Sequence, residues 1–219
     1  MEKFSKKKRN STGWVTGFLV LLMVVFGCHK LADYASLKAV PESLLWEPLA
    51  TDEFNGTSGF LRKSVKIDGI PCACDPPERL DYKVSAYPNG RLRYCRLEYD
   101  IAYRDIECSD WISLYEDGSL RSTFLRGRYD AFGVSAAVER IDLYPNGLIQ
   151  HCKLRETWEK DGNVITAGSW ISFWPNGILK DVRTHHAIIQ GREYNRFILD
   201  FDSTGKLIRS LDISGRGGG

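Results

Sequence analysis

Five stretches of this 219-residue chain superimpose on one another, and their period restricts the fold more than any other feature. They read Val84-Ser-Ala-Tyr-Pro-Asn-Gly90-Arg-Leu92, Ile112-Ser-Leu-Tyr-Glu-Asp-Gly118-Ser-Leu120, Ile141-Asp-Leu-Tyr-Pro-Asn-Gly147-Leu-Ile149, Ile171-Ser-Phe-Trp-Pro-Asn-Gly177-Ile-Leu179 and, with one extra turn residue, Ile198-Leu-Asp-Phe-Asp-Ser-Thr-Gly205-Lys-Leu207. The five glycines are 28, 29, 30 and 28 residues apart, and a weaker sixth copy ends at Gly59-Phe60-Leu61. Self-similarity at a period of this size signals a repeat architecture, in which no unit buries its apolar face alone.

Each copy spells out a hairpin. Apolar or β-branched residues six and four before the glycine, with an aromatic three before it, favour a strand. Pro-Asn-Gly or Glu-Asp-Gly then reverses the chain, since proline presets φ and glycine accepts positive φ. The aliphatic residue two past the glycine (Leu92, Leu120, Ile149, Leu179, Leu207) starts the return strand, and Leu97, Leu125 and Leu154 mark a second apolar position. A looser turn is expected between copies at Asp68-Gly69, Arg126-Gly127, Asp161-Gly162 and Gln190-Gly191. The predicted fold class is all-β: an elongated, twisted antiparallel meander of about 10 to 12 strands, two per copy. In it Tyr87, Tyr115, Tyr144, Trp174 and Phe201 form a stripe at one edge of the sheet.

The aromatic-Pro-Asn-Gly-x-Leu motif, with a Trp-Ile-Ser-x-aromatic lead-in at 111–115 and 170–174, resembles MORN-type repeats, in particular a bacterial aromatic-x-Asn-Gly-x-Leu subclass. The resemblance covers roughly residues 54–213, with copies longer than is usual in that family. It implies an interaction scaffold without chemistry of its own, and it carries no catalytic residue over. Some bacterial members bear an antitoxin-like label, which makes an antitoxin or immunity-type binder the alternative function.

The N-terminus reads as an address. Lys3, Lys6, Lys7, Lys8 and Arg9 against Glu2 give residues 1–27 a charge of +4, leaving −2 for the rest of a chain whose total is +2. An apolar run from Trp14 to Phe26 follows, too short to span a bilayer as a helix but of signal-peptide length. Val25-Phe26-Gly27-Cys28 resembles a bacterial lipobox, which implies a signal peptide over 1–27, lipidation of Cys28 and membrane attachment through that lipid. An uncleaved signal anchor is the other reading, and both put the body outside the cytoplasm, in the bacterial envelope. Residues 28–50 read as a tether with at most one short helix ended by Pro41, residues 51–213 as the repeat domain, and residues 214–219, rich in glycine, as a disordered tail.

With Cys28 lipidated, five cysteines remain. Cys95 and Cys152 sit five past their glycines, a repeat-encoded core position, while Cys95 and Cys108 are the candidate disulfide across a hairpin. Cys72-Ala-Cys74 and scattered single cysteines lack the spacing of a metal site, so no metal or cofactor is expected. His151 and Cys152 are neighbours on a strand and face opposite ways, and one ring of His185-His186 is expected to face inward. No nucleophile elbow, zinc-protease helix, phosphate loop or dinucleotide fingerprint occurs, and the chain is read as no enzyme. A near-neutral body argues against nucleic acid. The candidate binding residues are therefore the aromatics Tyr87, Tyr115, Tyr144, Trp174, Trp111 and Trp170. They offer a platform for a glycan, peptidoglycan or a protein partner, or they cap the sheet's own core. Strand addition at a free sheet edge is a further route to a protein partner.

Overall fold

A computed structural model of the chain describes residues 32–74, 83–131, 133–137 and 139–214. Its strands are Ala32–Tyr34 (β1), Ala50–Thr51 (β2), Thr57–Gly59 (β3), Val65–Ile67 (β4), Ile70–Cys72 (β5), Val84–Ala86 (β6), Leu92–Arg96 (β7), Ile101–Tyr103 (β8), Ile106–Leu114 (β9), Leu120–Leu125 (β10), Tyr129–Ala131 (β11), Val134–Ala136 (β12), Arg140–Leu143 (β13), Ile149–Lys153 (β14), Trp158–Lys160 (β15), Asn163–Ile165 (β16), Trp170–Phe173 (β17), Leu179–Ile189 (β18), Arg192–Phe201 (β19) and Leu207–Asp212 (β20). Fifteen of these form one sheet ordered β15-β16-β18-β17-β14-β13-β10-β9-β7-β6-β3-β2, with β19 and β20 continuing from β18 and β8 added to β9. Every pairing in that sheet is antiparallel, so the expected all-β meander is the fold.

The repeat turn is the same in every copy. In the Gly90 copy the amide of Gly90 donates to the Tyr87 carbonyl (2.8 Å), that of Tyr87 to the Arg91 carbonyl (2.8 Å), and Asn89 accepts from the Arg91 amide (3.0 Å). Gly90 sits at φ 87°, the left-handed position that closes a three-residue hairpin loop. Leu92, Leu120, Ile149, Leu179 and Leu207 each begin a strand, as the spacing predicts.

The second turn of each copy is tighter than the sequence suggests. Asp68-Gly69, Arg104-Asp105, Asp161-Gly162 and Gln190-Gly191 have positive φ at both residues, the type I′ geometry of two-residue hairpins. In the Gly118 copy the reversal falls at Gly133 (φ 76°), not at Arg126-Gly127. Each copy but the last therefore holds two hairpins rather than two strands among the described residues: one in the long sheet and one in a wing. The wings are β4–β5, β8 with the start of β9, β11–β12, β15–β16, and the end of β18 with the start of β19. That extra hairpin accounts for the length of the copies.

The wings cover one face of the long sheet. Leu92, Cys95, Ile112, Leu114, Leu120, Ile141, Ile149, Cys152, Ile171, Phe173 and Val182 point toward them and are buried. Ile67, Ile70, Val134, Trp158, Ile165, Ile189 and Tyr194 complete the same core from the wings. Trp158, for example, meets Phe173 edge-on at 6.0 Å. Burying one such aliphatic or aromatic side chain stabilises the fold by about 1.5–3 kcal/mol.

The segment expected to be a tether is part of the body from Ala32 onward. β1 pairs in parallel with β4, two short 3-10 turns (Leu37–Ala39 and Glu42–Leu44) follow, and Leu37, Val40 and Leu45 are buried. The weak sixth copy is real but turns at Asn55 (φ 57°), and Gly59 lies inside β3. Gly56 packs so tightly there that a Cβ would lie 2.2 Å from the Ala86 carbonyl oxygen. Residues 1–31, with the predicted signal peptide and Cys28, and residues 215–219 of the predicted tail lie outside the described residues.

Candidate functional site

The other face of the long sheet carries no wing among the described residues. Its chemistry follows from a β-bulge that recurs in all five copies. The register shifts between Ser85 and Ala86, Ser122 and Leu120, Asp142 and Leu143, Ser172 and Phe173, and Asp200 and Phe201. The extra residue is always the third past the turn glycine: Arg93, Arg121, Gln150, Lys180 and Ile208. A bulge puts two consecutive side chains on one face. Hence Arg93 and Tyr94, Arg121 and Ser122, Gln150 and His151, and Lys180 and Asp181 all face outward together. The inward set then falls at the second, fifth and seventh positions past the glycine. Cys95, Thr123, Cys152 and Val182 accordingly lie in the core.

Cross-strand pairing aligns one outward residue from each of eleven strands into a continuous row. It runs Ser58, Ser85, Tyr94, Ser113, Ser122, Asp142, His151, Ser172, Asp181, Asp200, Arg209. Ten strand spacings make the row about 48 Å long. Small serines dominate its floor, and Ser58, Ser85, Ser122 and Ser172 are each at most 7% exposed. Taller side chains flank them. On the turn side, Arg93 lies over Tyr87 (5.9 Å), Arg121 over Tyr115 (5.8 Å) and Lys180 over Trp174 (5.0 Å). On the wing side, Trp111 contacts Tyr94 and Phe124 (each 5.8 Å), Arg140 lies over Trp111 (5.6 Å) and Lys153 over Trp170 (6.0 Å). The result is a trough crossing the strands, with a central section of about 640 Å³ and an end section of about 450 Å³ around Ser58, Ser85 and Arg93.

Electrostatics in the central section favour anions. Asp142 accepts from Ser122 and from both Arg140 Nε (3.1 Å) and a terminal guanidinium nitrogen (2.9 Å), so its charge is matched. Arg121 and Lys180 line the same section, and neither forms an ion pair among the described residues. His151 stacks on Trp170 (centroids 5.0 Å, planes 8° apart), and its Nδ1 lies 2.8 Å from Ser172 Oγ. Burial pushes the His151 pKa below the ordinary histidine value, against the pull of Asp142 and Asp181. The ring is therefore neutral at pH 7 and adds no charge.

The six aromatics singled out by sequence divide into two groups. Tyr87, Tyr115, Tyr144 and Trp174 form the expected stripe beside the turns, but their polar atoms are committed to the neighbouring copy. Tyr87 Oη donates to the Leu114 carbonyl (2.9 Å), Tyr115 to Leu143 (2.8 Å), Tyr144 to Phe173 (2.8 Å), and Trp174 Nε1 to Phe201 (3.2 Å). They staple copy to copy. Burial raises the pKa of all three tyrosines, so they remain donors. Phe201 is not in the stripe: it is 3% exposed and faces the core as Phe173 does, while Asp202 takes the stripe position. No extra residue is needed in that copy. Trp111 lines the central section of the trough, and Trp170 stacks on His151, which lines it too.

The expected Cys95–Cys108 disulfide does not form. Cys95 stands opposite Ile112, four residues along β9 from Cys108, about 13 Å away and beyond the reach of a bridge. Cys108 instead donates to the Ile106 carbonyl (3.4 Å), and burial pushes the Cys152 thiol up to about 12. Both are inert core residues. Neither His185 nor His186 enters the core, since the inward residues beside them are Thr184 and Ala187. Among the described residues, no group of three or more His, Cys, Asp or Glu side chains could hold a metal ion. None of the described helices is long and apolar enough to cross a membrane.

Sequence reasoning missed the trough because it assumed strict alternation. The signal was present: inward residues two and five past each glycine are three apart, which only a bulge allows. No family model, no curated protein and no solved structure matches the chain.

Proposed function

We propose that the chain is a non-enzymatic binding scaffold of the bacterial envelope, held at a membrane by a lipid on Cys28, and that the trough is its binding surface. The observation that carries this reading is the eleven-residue outward row, floored by serines and walled by stacked cation–aromatic pairs, on a sheet whose opposite face is fully occupied by core. Small floor residues between taller walls leave room for a ligand, and arginine, tryptophan and tyrosine are the side chains that carry most binding energy at interfaces. The MORN-like motif and the lipobox-like Val25-Phe26-Gly27-Cys28 support a tethered scaffold.

Envelope material washed free of membrane tests the reading. Cys28→Ser protein should partition out of the detergent phase yet sediment with that material. The double variant Trp111→Ala/Arg121→Ala should keep its circular dichroism and remain in the supernatant. Equal sedimentation of both proteins would remove the trough as the binding surface, and a Cys28→Ser protein that stays in the detergent phase would remove the lipid anchor.

A further inference from the structure

We infer that the trough takes an extended β-linked polysaccharide with one carboxylate per disaccharide, lying across the strands. This rests on the reading of the trough as a binding surface and adds the class of ligand. The first argument is direction: the floor row crosses eleven strands, so the occupant is linear and runs perpendicular to them.

The second argument is period. Each copy advances two strands, so equivalent groups recur about every 9.6 Å along the trough. A β-1,4-linked pyranose ring advances by roughly one strand spacing, and a disaccharide by one copy. An extended peptide has side chains of one face about 6.8 Å apart, out of step with the copies. The third argument is charge. The bulge residue is a cation in three of the five copies, Arg93, Arg121 and Lys180, with Gln150 and Ile208 in the other two, and Arg93 is already paired with Asp52. Arg121 and Lys180 lack carboxylate partners among the described residues, whereas the ligand would bring one per repeat. The floor serines suit sugar hydroxyls, and Trp111 adds an aromatic surface to the lining.

The test is a tryptophan-fluorescence titration of the full chain in detergent micelles with three probes. They are glycan strands of alternating N-acetylglucosamine and N-acetylmuramic acid stripped of peptide, chito-oligosaccharides of equal length, which lack the carboxylate, and poly-glutamate. The stripped strands should bind at least about tenfold more tightly than the chito-oligosaccharides, the charge contacts at Arg121 and Lys180 being lost in the latter. Gln150→Lys should tighten binding of the stripped strands severalfold by restoring the missing cation, while Lys180→Gln should weaken it. Poly-glutamate binding without glycan binding overturns the inference but leaves the trough a binding surface, for an acidic peptide. Equal affinity for both glycans, or no effect of Gln150→Lys, also overturns it. No response to any probe, together with unchanged envelope sedimentation of Trp111→Ala/Arg121→Ala, removes both readings.

Discussion

Single atoms join the copies. A tyrosine hydroxyl crosses to a backbone carbonyl of the next copy, 27 to 29 residues away in sequence, and does so three times before Trp174 takes over. The aromatic position is obvious in the sequence, and so is its likeness from copy to copy. What the ring does there is not, because its acceptor is a main-chain oxygen that has no sequence signature. Tyr115→Phe removes the donor and keeps the ring, leaving the carbonyl of the buried Leu143 without that bond. It should lower stability by about 1 kcal/mol, read as a shift in urea midpoint at unchanged m-value. An unchanged midpoint would mean that the ring's packing, and not the hydroxyl, makes the staple.

Two hairpin types alternate along the chain, and they store strain differently. The sheet hairpins place glycine or, in the first copy, Asn55 at the left-handed residue. Four of the wing hairpins have positive φ at both turn residues, and four of the five wings provide glycine at the second position. The exception is Arg104-Asp105, with φ of 49° and 67° on two non-glycine residues. Asp105 is exposed, so nothing else is lost by replacing it. Asp105→Gly should therefore raise stability by about 0.5–1 kcal/mol, seen as a higher melting temperature, despite the added freedom of the unfolded chain. A lower melting temperature would show that this turn is not strained. Residues 100–105 read as a loose turn between Cys95 and Cys108, but with no glycine there the sequence carries no mark of the two-residue geometry that Asp161-Gly162 and Gln190-Gly191 announce. The recurring bulge lies at the same scale, and it turns a repeat built for a core into one with a second, outward-facing residue pair per copy.

Both ends of the array break the pattern in the same way. Asp52 and Asp202 occupy the stripe position in the first and last copies. Each turns its carboxylate back on its own loop, Asp52 to the amides of Phe54 (2.9 Å) and Gly56 (3.0 Å), Asp202 to those of Thr204 (2.9 Å) and Lys206 (3.0 Å). The Thr204 hydroxyl, together with these amides, holds Asp202 below the usual aspartate range, and at Asp52 the amides do so with Arg93 against burial. In β20 the inward positions five and seven past the glycine are Ser210 and Asp212, both exposed. The last copy thus neither staples onward nor offers an apolar row, which is how a repeat array ends without recruiting another. The triple variant Asp202→Tyr/Ser210→Leu/Asp212→Leu restores the interior pattern at that edge. It should self-associate with rising concentration, giving a larger species in size-exclusion chromatography where the wild-type chain does not change. A triple variant whose elution does not change would show that these residues are not the terminator.

The repeat alone determined the class of fold, the site of the five glycine sheet turns, the start of the return strands that follow them and most of the core, because turn chemistry and apolar spacing act within a few residues. The pairing of wings with the sheet, the docking of residues 32–50, the separation of Cys95 from Cys108 and the line of serines across eleven strands were decided by tertiary structure. Each depends on register between segments that meet only when the copies stack, and one bulge per copy moves that register by a residue, enough to send a side chain to the other face.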